Sequence, residues 1–85
     1  MNEYYILFGI KDDKVYYINN TNPIIWSPMI QLAKVYKDRY TAEYSVLRDW
    51  YNFRYISDMI DDKNLDSFYI AIMDNGIEKE RIQLL

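Results

Sequence analysis

The chain carries a β-hairpin pattern near each end, and this arrangement constrains the fold more than any other feature of the sequence. Near the N-terminus, residues 3–10 and 15–18 are apolar and aromatic, and the polar residues 11–14 separate them. Near the C-terminus, residues 68–73 and 77–84 flank Asn75-Gly76, a dipeptide that tolerates the positive φ angles of tight hairpin turns. The sequence therefore predicts two β-hairpins with a connecting region between them.

The middle of the chain predicts short elements and then a helix. Residues 19–23 favour a loop, Ser27-Pro28 can start a helical turn reaching about Leu32, and residues 34–36 form a short predicted strand. Asp38 is a good N-cap for a long helix over residues 39–56, which contain neither Gly nor Pro. Its apolar stripe, predicted to face the core, consists of Tyr40, Tyr44, Leu47, Tyr51 and Tyr55.

These elements predict one domain over residues 1–85 with an α+β fold. Its antiparallel sheet combines the two hairpins with a short strand, and one long helix packs on one face in the order ββ-β-α-ββ. Because residues 3–10 are apolar on both faces of the strand, we expect a central position, with one face covered by aromatic side chains. The charged residues 78–81 predict that the last strand lies at an exposed edge.

The residue types that are missing limit the chemistry. Histidine and cysteine are absent, which excludes Ser–His and Cys–His catalytic pairs, disulfides, and the thiolate and imidazole ligands of zinc and copper sites. The sequence has no glycine-rich phosphate loop, because Gly9 and Gly76 are its only glycines. We therefore expect a protein that is not an enzyme and has no catalytic residues, cofactor or metal. No apolar run reaches membrane-spanning length and no secretory signal is evident, so we expect a cytoplasmic protein.

Two groups of residues are candidates for binding a partner protein. The first is the tyrosines of the N-terminal hairpin. A core of this size cannot absorb the chain's fifteen aromatic rings, and Tyr is enriched in interface hot spots. The second is the acidic C-terminal part, since residues 57–85 carry a net charge of −4 against +1 for residues 1–56. The predicted partner-binding residues are Tyr5, Tyr17, Asp58, Asp61, Asp62, Asp66, Asp74, Glu78 and Glu80.

Other interpretations of the same residues stay open. The tyrosines could stabilise the sheet by cross-strand pairing, or join two copies in a homodimer. The acidic residues could be solvated turns and a sheet edge, or could occupy a basic groove on a partner that handles nucleic acid. The alternative function is a small nucleic-acid-binding or regulatory protein that uses the sheet tyrosines with scattered Lys and Arg residues. Direct binding of nucleic acid is disfavoured by the net charge of −3 and by the lack of a concentrated basic face.

The middle of the chain also carries a spacing that can be compared with a known group. Trp26 is followed by Ala33-Lys34-Val35-Tyr36 and then by Ala42-Glu43, a pattern written W-x6-A-K-V-Y-x5-A-E. It resembles small, mostly uncharacterised α+β proteins encoded by phages and prophages of low-GC Gram-positive bacteria. The resemblance covers residues 3–50, and some similar proteins are anti-CRISPR-like inhibitors of bacterial defence. It implies a protein of the host bacterial cell that binds a host protein and blocks it sterically.

Overall fold

In a computed structural model, which describes residues 2–21, 24–47 and 64–84, the chain forms a five-stranded antiparallel sheet with helical segments between its third and fourth strands. The order across the sheet is β3-β2-β1-β4-β5. A 3₁₀ helix (Ile30–Leu32) and an α-helix, α1 (Arg39–Leu47), follow β3. The strands are β1 (Glu3–Lys11), β2 (Lys14–Thr21), β3 (Ile24–Ser27), β4 (Ser67–Asp74) and β5 (Ile77–Gln83). The α+β class is confirmed. Among the described residues, no helix combines the length and apolarity needed to cross a membrane.

Both predicted hairpins form, and their turns have the same backbone conformation. Asp12 and Asp13 have φ angles of 51° and 63°, and Asn75 and Gly76 have φ angles of 52° and 82°. Positive φ at both central residues suits the twist of antiparallel strands, and Asp, Asn and Gly tolerate it better than other residues do. The first hairpin pairs β1 with β2, and the second pairs β4 with β5.

Strand β1 is central, as predicted, and it pairs on both sides. It pairs with β4 from Glu3 to Ile10, whereas it pairs with β2 only from Phe8 to Lys11. Where β2 diverges, Tyr36 forms an isolated bridge with Tyr5, in which each backbone N–H lies 2.9 Å from the other residue's carbonyl oxygen. The backbone N–H of Lys34 bonds instead to Ile18, at 2.8 Å.

The predicted strand over residues 34–36 is therefore wrong, because its backbone bonds go to two different strands rather than forming one ladder. The short strand of the sheet is β3, which lies between Pro23 and Pro28. The predicted loop over residues 19–23 is wrong for residues 19–21, because these continue β2, and Asn20 and Thr21 pair with β3.

The face of the sheet that packs against α1 holds the larger core cluster. Leu7 of β1, Ile18 of β2 and Phe68 and Ile70 of β4 are fully buried in it, with Ala42 of the helix. Trp26 of β3 packs edge-on against Phe68, with 6.4 Å between ring centroids. The helix begins as predicted at Asp38, whose carboxylate accepts hydrogen bonds from the backbone N–H and the hydroxyl of Thr41, both at 2.8 Å.

The predicted core stripe of the helix is wrong at its first two positions. Tyr40 is 84% exposed and Tyr44 is 63% exposed, whereas Ala42 is fully buried. Positions two residues from Ala42 lie about 200° around an α-helix, so burial of Ala42 turns both tyrosines outward. The described helix spans nine residues, which does not support the long helix. The predicted continuation over residues 48–56, including Tyr51 and Tyr55, lies outside the described residues.

Candidate functional site

The face of the sheet opposite α1, here called the open face, carries the second cluster of apolar side chains. In the described part of the chain no α-helix packs on this face, and its aromatic side chains cover its own buried centre. Phe8 stacks on Tyr69 with ring centroids 5.2 Å apart, and Tyr17 lies 6.0 Å from the Phe8 ring. The open face consists of Tyr4, Ile6, Phe8, Ile10, Val15, Tyr17, Tyr69, Ala71 and Met73, with Ala33 packed against it.

A cavity of about 160 Å³ opens on this face. Three strands of the sheet supply its floor and the 3₁₀ helix supplies one side through Ile30, so the cavity depends on that turn folding back over the sheet. Its walls are mainly apolar, with one acid and one base at the edge. The residues that line it are Ile6, Phe8, Val15, Tyr17, Ile30, Met73, Glu78 and Arg81.

Arg81 forms the charged border of the open face. Its guanidinium carbon lies 4.9 Å from the centroid of the Phe8 ring and 5.5 Å from that of Tyr69. The same group donates to the Glu78 carboxylate, with Nη2 at 2.9 Å and Nε at 3.3 Å. The ion pair and the two rings hold the side chain in one place, and a guanidinium has donors left over for a ligand's carbonyl or carboxylate oxygen.

The opposite border of the open face is apolar and exposed. Ile25 of β3 is 45% exposed, and it alternates with Ile24 and Trp26, which pack on the α1 side of the sheet. The turn that carries Ile30 exposes Met29 and Leu32 to about one half each. Exposed large apolar side chains that lie beside a cavity are typical of surfaces that bind another molecule.

The structure separates the two tyrosines that were predicted to bind a partner. Tyr17 lies on the open face, but Tyr5 lies on the α1 side, half-buried against the larger core cluster. The Tyr5 hydroxyl donates to the Glu3 carboxylate at 3.1 Å. This hydrogen bond, more than partial burial, raises the pKa of the Tyr5 phenol. The two tyrosines therefore cannot belong to a single exposed cluster, although either could contact a partner.

The predicted acidic residues are also dispersed. Asp66 precedes β4 and accepts a hydrogen bond from the backbone of Asp12 at 3.0 Å, whereas Asp74 ends β4, about 26 Å away along an extended strand. Glu78 borders the open face. A register shift follows Glu78, so that Glu80 rather than Lys79 lies opposite Ile72. Glu80 lies on the α1 side of the sheet. There Glu43 is the main cause of the raised pKa of Arg39, and the charge of Glu80 makes a smaller contribution in the same direction. Asp58, Asp61 and Asp62 lie outside the described residues.

Basic side chains in the described ranges are partly neutralised by ion pairs. Arg39 pairs with Glu43 at 2.7 Å, and Lys79 pairs with Glu3 at 3.2 Å. The Lys79 ammonium, followed by the Tyr5 hydroxyl, holds the pKa of the Glu3 carboxyl below its usual value. Lys34 lies over the ring of Tyr36, 5.5 Å from its centroid. Because Arg39, Lys79 and Lys34 already make these contacts, they are less available to bind the phosphates of a nucleic acid.

The sequence did not indicate the most distinctive parts of this site. The cation–π contacts of Arg81 depend on the register shift in β5, and the exposure of Ile25, Met29 and Leu32 depends on the path of the 3₁₀ turn. One signal was available: residues 14–37 contain no acidic residue, although the chain has thirteen. The described residues of this stretch form β2, β3 and the 3₁₀ turn, so these three elements contribute no negative side chain.

The arrangement offers shape, apolar surface and hydrogen-bond donors rather than reactive groups. In the described part of the chain, no three acidic side chains come together as a metal site would require. Comparisons with protein-family models, with curated proteins and with solved structures give no match for this chain. The properties of the open face are therefore the basis for the function proposed below.

Proposed function

We propose that this protein is a non-enzymatic binding module that recognises another protein through the open face. The observation that carries the proposal is the cavity between Ile30 and Arg81, which has an apolar border on one side and a charged border on the other. A cavity of this volume accepts one apolar side chain of a partner, and the exposed residues beside it extend the contact. Central pockets that receive an anchoring side chain carry most of the binding energy in many protein interfaces.

The composition of the open face supports a protein ligand. Tyr and Arg are among the residue types most enriched in hot spots. Tyr17 and Arg81 line the cavity, and Tyr69 lies beside Arg81 on the same face. Rings held by mutual stacking and by a cation lose little conformational freedom on binding. A partner that binds this preformed site therefore pays a smaller entropic cost for ordering side chains than one that binds a flexible site.

A narrower form of the proposal is that binding inhibits the partner protein. The spacing shared with small phage and prophage proteins implies a host protein as the partner, and inhibition by blocking its surface as the outcome. An inhibitor of a bacterial defence enzyme, comparable to anti-CRISPR proteins, is the sharpest version. This version depends on the resemblance, whereas protein binding by the open face depends on the geometry.

Matched charge substitutions on two exposed isoleucines test the binding surface. Ile30→Asp places a carboxylate at the cavity, and Ile77→Asp places one on β5, where Ile77 is 71% exposed. Wild type and both variants are immobilised, used to capture proteins from a lysate of a low-GC Gram-positive bacterium, and compared by quantitative mass spectrometry. We expect a protein retained by wild type and Ile77→Asp and strongly depleted with Ile30→Asp.

Two results would contradict the proposal. One is a captured set that is the same for all three proteins, provided that thermal melts show Ile30→Asp to be folded. The other is tight binding of nucleic acid by the purified protein that weakens steeply as salt rises, which would instead support the alternative function.

A further inference from the structure

The turn between β4 and β5 holds the one Asn-Gly pair in the sequence, Asn75-Gly76. Both residues are exposed. Among the described residues, no atom beyond the adjacent residues would lie within 4 Å of a Cβ atom built on Gly76. An asparagine that precedes glycine is prone to spontaneous deamidation, because no side chain hinders the glycine nitrogen as it approaches the asparagine side chain. The sequence and the open surroundings of this turn therefore make Asn75 a reactive position.

The folded turn restrains Asn75 through its backbone and through its side chain. The φ angle of 52° is held by the β4–β5 ladder, whose last pair, Asp74 and Ile77, flanks the turn. The side-chain carbonyl oxygen of Asn75 accepts a hydrogen bond from the side-chain amide of Asn2 at 2.8 Å. Deamidation closes a ring that brings Cβ of Asn75 and the nitrogen of Gly76 into one plane. In this turn type a ψ angle of about +30° holds these two atoms apart, so the turn must open before the ring can close.

The reaction needs water as its one co-reactant. The backbone nitrogen of Gly76 attacks the side-chain carbonyl carbon of Asn75 and loses its proton, the bond from that carbon to Nδ2 breaks, and ammonia leaves. Water then opens the five-membered imide at either of its two carbonyl groups, which gives aspartate or isoaspartate. Either product adds one negative charge to a chain whose net charge is −3, and isoaspartate also lengthens the backbone of the turn by one carbon.

We propose that Asn75 is a site of spontaneous deamidation whose rate is set by opening of the β4–β5 turn, with the side chain of Asn2 as a restraint on that opening. A hydrogen bond to the carbonyl oxygen of Asn75 can also promote the attack, because negative charge forms on this oxygen. In an exposed turn, however, water replaces the donor once Asn2 is removed. Loss of the Asn2 amide therefore removes the restraint without removing the donor, and the reaction becomes faster.

The consequence of deamidation falls on β5, which begins directly after the turn and supplies Glu78 and Arg81 to the open face. A turn that isoaspartate has lengthened no longer matches the register of a two-residue hairpin, so strand pairing next to the turn weakens. An effect on partner binding would rest on the proposed function, whereas the deamidation itself does not. The two can therefore fail separately.

Peptide mapping by mass spectrometry tests the proposal on the purified chain, incubated at mildly alkaline pH. Deamidation should appear first at Asn75, and at least about threefold more slowly in the folded protein than in the chain unfolded in guanidinium chloride. Asn2→Ala should raise the rate in the folded protein about two- to fivefold, as expected for the loss of one exposed hydrogen bond. Asn2→Asp, which replaces the donor by an acceptor of the same size, should raise it similarly.

Asn19→Ala is the matched control. The side-chain amide of Asn19 also donates an exposed hydrogen bond, to the Leu32 carbonyl at 2.7 Å, but Asn19 lies in β2, which β1 separates from β4 and β5. This variant should deamidate at Asn75 as wild type does, and thermal melts show that each variant is folded during the incubation.

Four results would overturn the proposal. They are deamidation that begins at another asparagine, a rate at Asn75 that is the same in the folded and unfolded chains, a wild-type rate in both Asn2 variants, and an Asn19→Ala rate raised as much as that of Asn2→Ala. None of these measurements requires a partner protein.

Discussion

Replacing Gly9 by alanine tests the packing that holds the central strand against the segment leading into β4. A Cβ atom built on Gly9 would overlap Cδ1 of Leu65 and lie 2.8 Å from Cδ2 and 3.0 Å from Cγ of the same residue. Leu65 is buried in the larger core cluster, at 9% exposed, so its side chain has little room to turn away. The chain direction there is also fixed, because the backbone N–H of Asp66 donates to Ile10 at 2.8 Å.

The magnitude follows from two opposing effects. Overpacking a filled core costs about 1–3 kcal/mol. Replacing glycine by alanine lowers the entropy of the unfolded chain, which stabilises by about 0.4–1 kcal/mol. The net loss is then about 1–2 kcal/mol in the free energy of unfolding, which for a domain of this size lowers the Tm by roughly 5–15 °C.

Urea unfolding followed by circular dichroism measures this loss, and a double-mutant cycle with Leu65→Ala assigns it. Leu65→Ala alone should destabilise by about 2–5 kcal/mol, since it leaves a cavity. Together with Gly9→Ala the loss should be smaller than the sum, because the new methyl group no longer collides and partly fills that cavity. A Gly9→Ala protein as stable as wild type, or strictly additive effects, would refute the close approach of these two residues.

Three further changes have definite expected outcomes. Hydrogen bonds from the backbone and hydroxyl of Thr41 hold the pKa of Asp38 below its usual 3.8. The stability that these bonds provide is therefore complete above pH 3.8. It is lost as the pH falls through the lower pKa that Asp38 has in the folded state. The Tm difference between wild type and Asp38→Asn should therefore shrink between pH 5 and pH 2. The Tyr36 hydroxyl is buried, and no group among the described residues is in full hydrogen-bonding geometry with it. Burial raises the pKa of Tyr36, and a weak interaction with the Ser45 hydroxyl, which itself donates to the Ala42 carbonyl, offsets only part of that rise. Tyr36→Phe should accordingly leave the free energy of unfolding in urea unchanged or raise it by up to about 1 kcal/mol. A clear loss of stability would show that the Tyr36 hydroxyl does have a hydrogen-bond partner. Arg81→Ala should lower the free energy of unfolding by about 0.5–1 kcal/mol, because the contact between the guanidinium and the Phe8 ring is lost. Arg81→Lys should lower it by less. Equal losses in the two variants would argue against a contribution from the planar guanidinium.

The hairpins could be predicted from the sequence because local chemistry determines them. Asn75-Gly76 and the residues 11–14 favour their turns whatever surrounds them, and apolar residues on both faces of residues 3–10 require a central strand. Strand β3 could not be predicted in the same way. It has only four residues, and its formation depends on β2 continuing through residues that by themselves favour a loop.

The orientation of α1 and the composition of the site depend on contacts between distant parts of the chain. Tyrosine fits an apolar stripe by spacing, but the close approach of α1 to the sheet admits only the small Ala42, and Tyr40 and Tyr44 turn outward as a result. Tyr17 and Glu78 were predicted to bind a partner and do lie at the open face. Arg81 was not predicted, because the register shift in β5 decides which strand residues face the cavity.

Amide chemical-shift mapping shows which surface of the protein contacts a partner, and it therefore tests binding by the open face. The ¹⁵N-labelled chain is titrated with the protein that wild type retains and Ile30→Asp loses. We expect the largest changes on the open face, at Phe8, Tyr17, Ile30 and Arg81. Changes confined to the exposed helix face, at Tyr40 and Tyr44, with the open face unaffected, would contradict it.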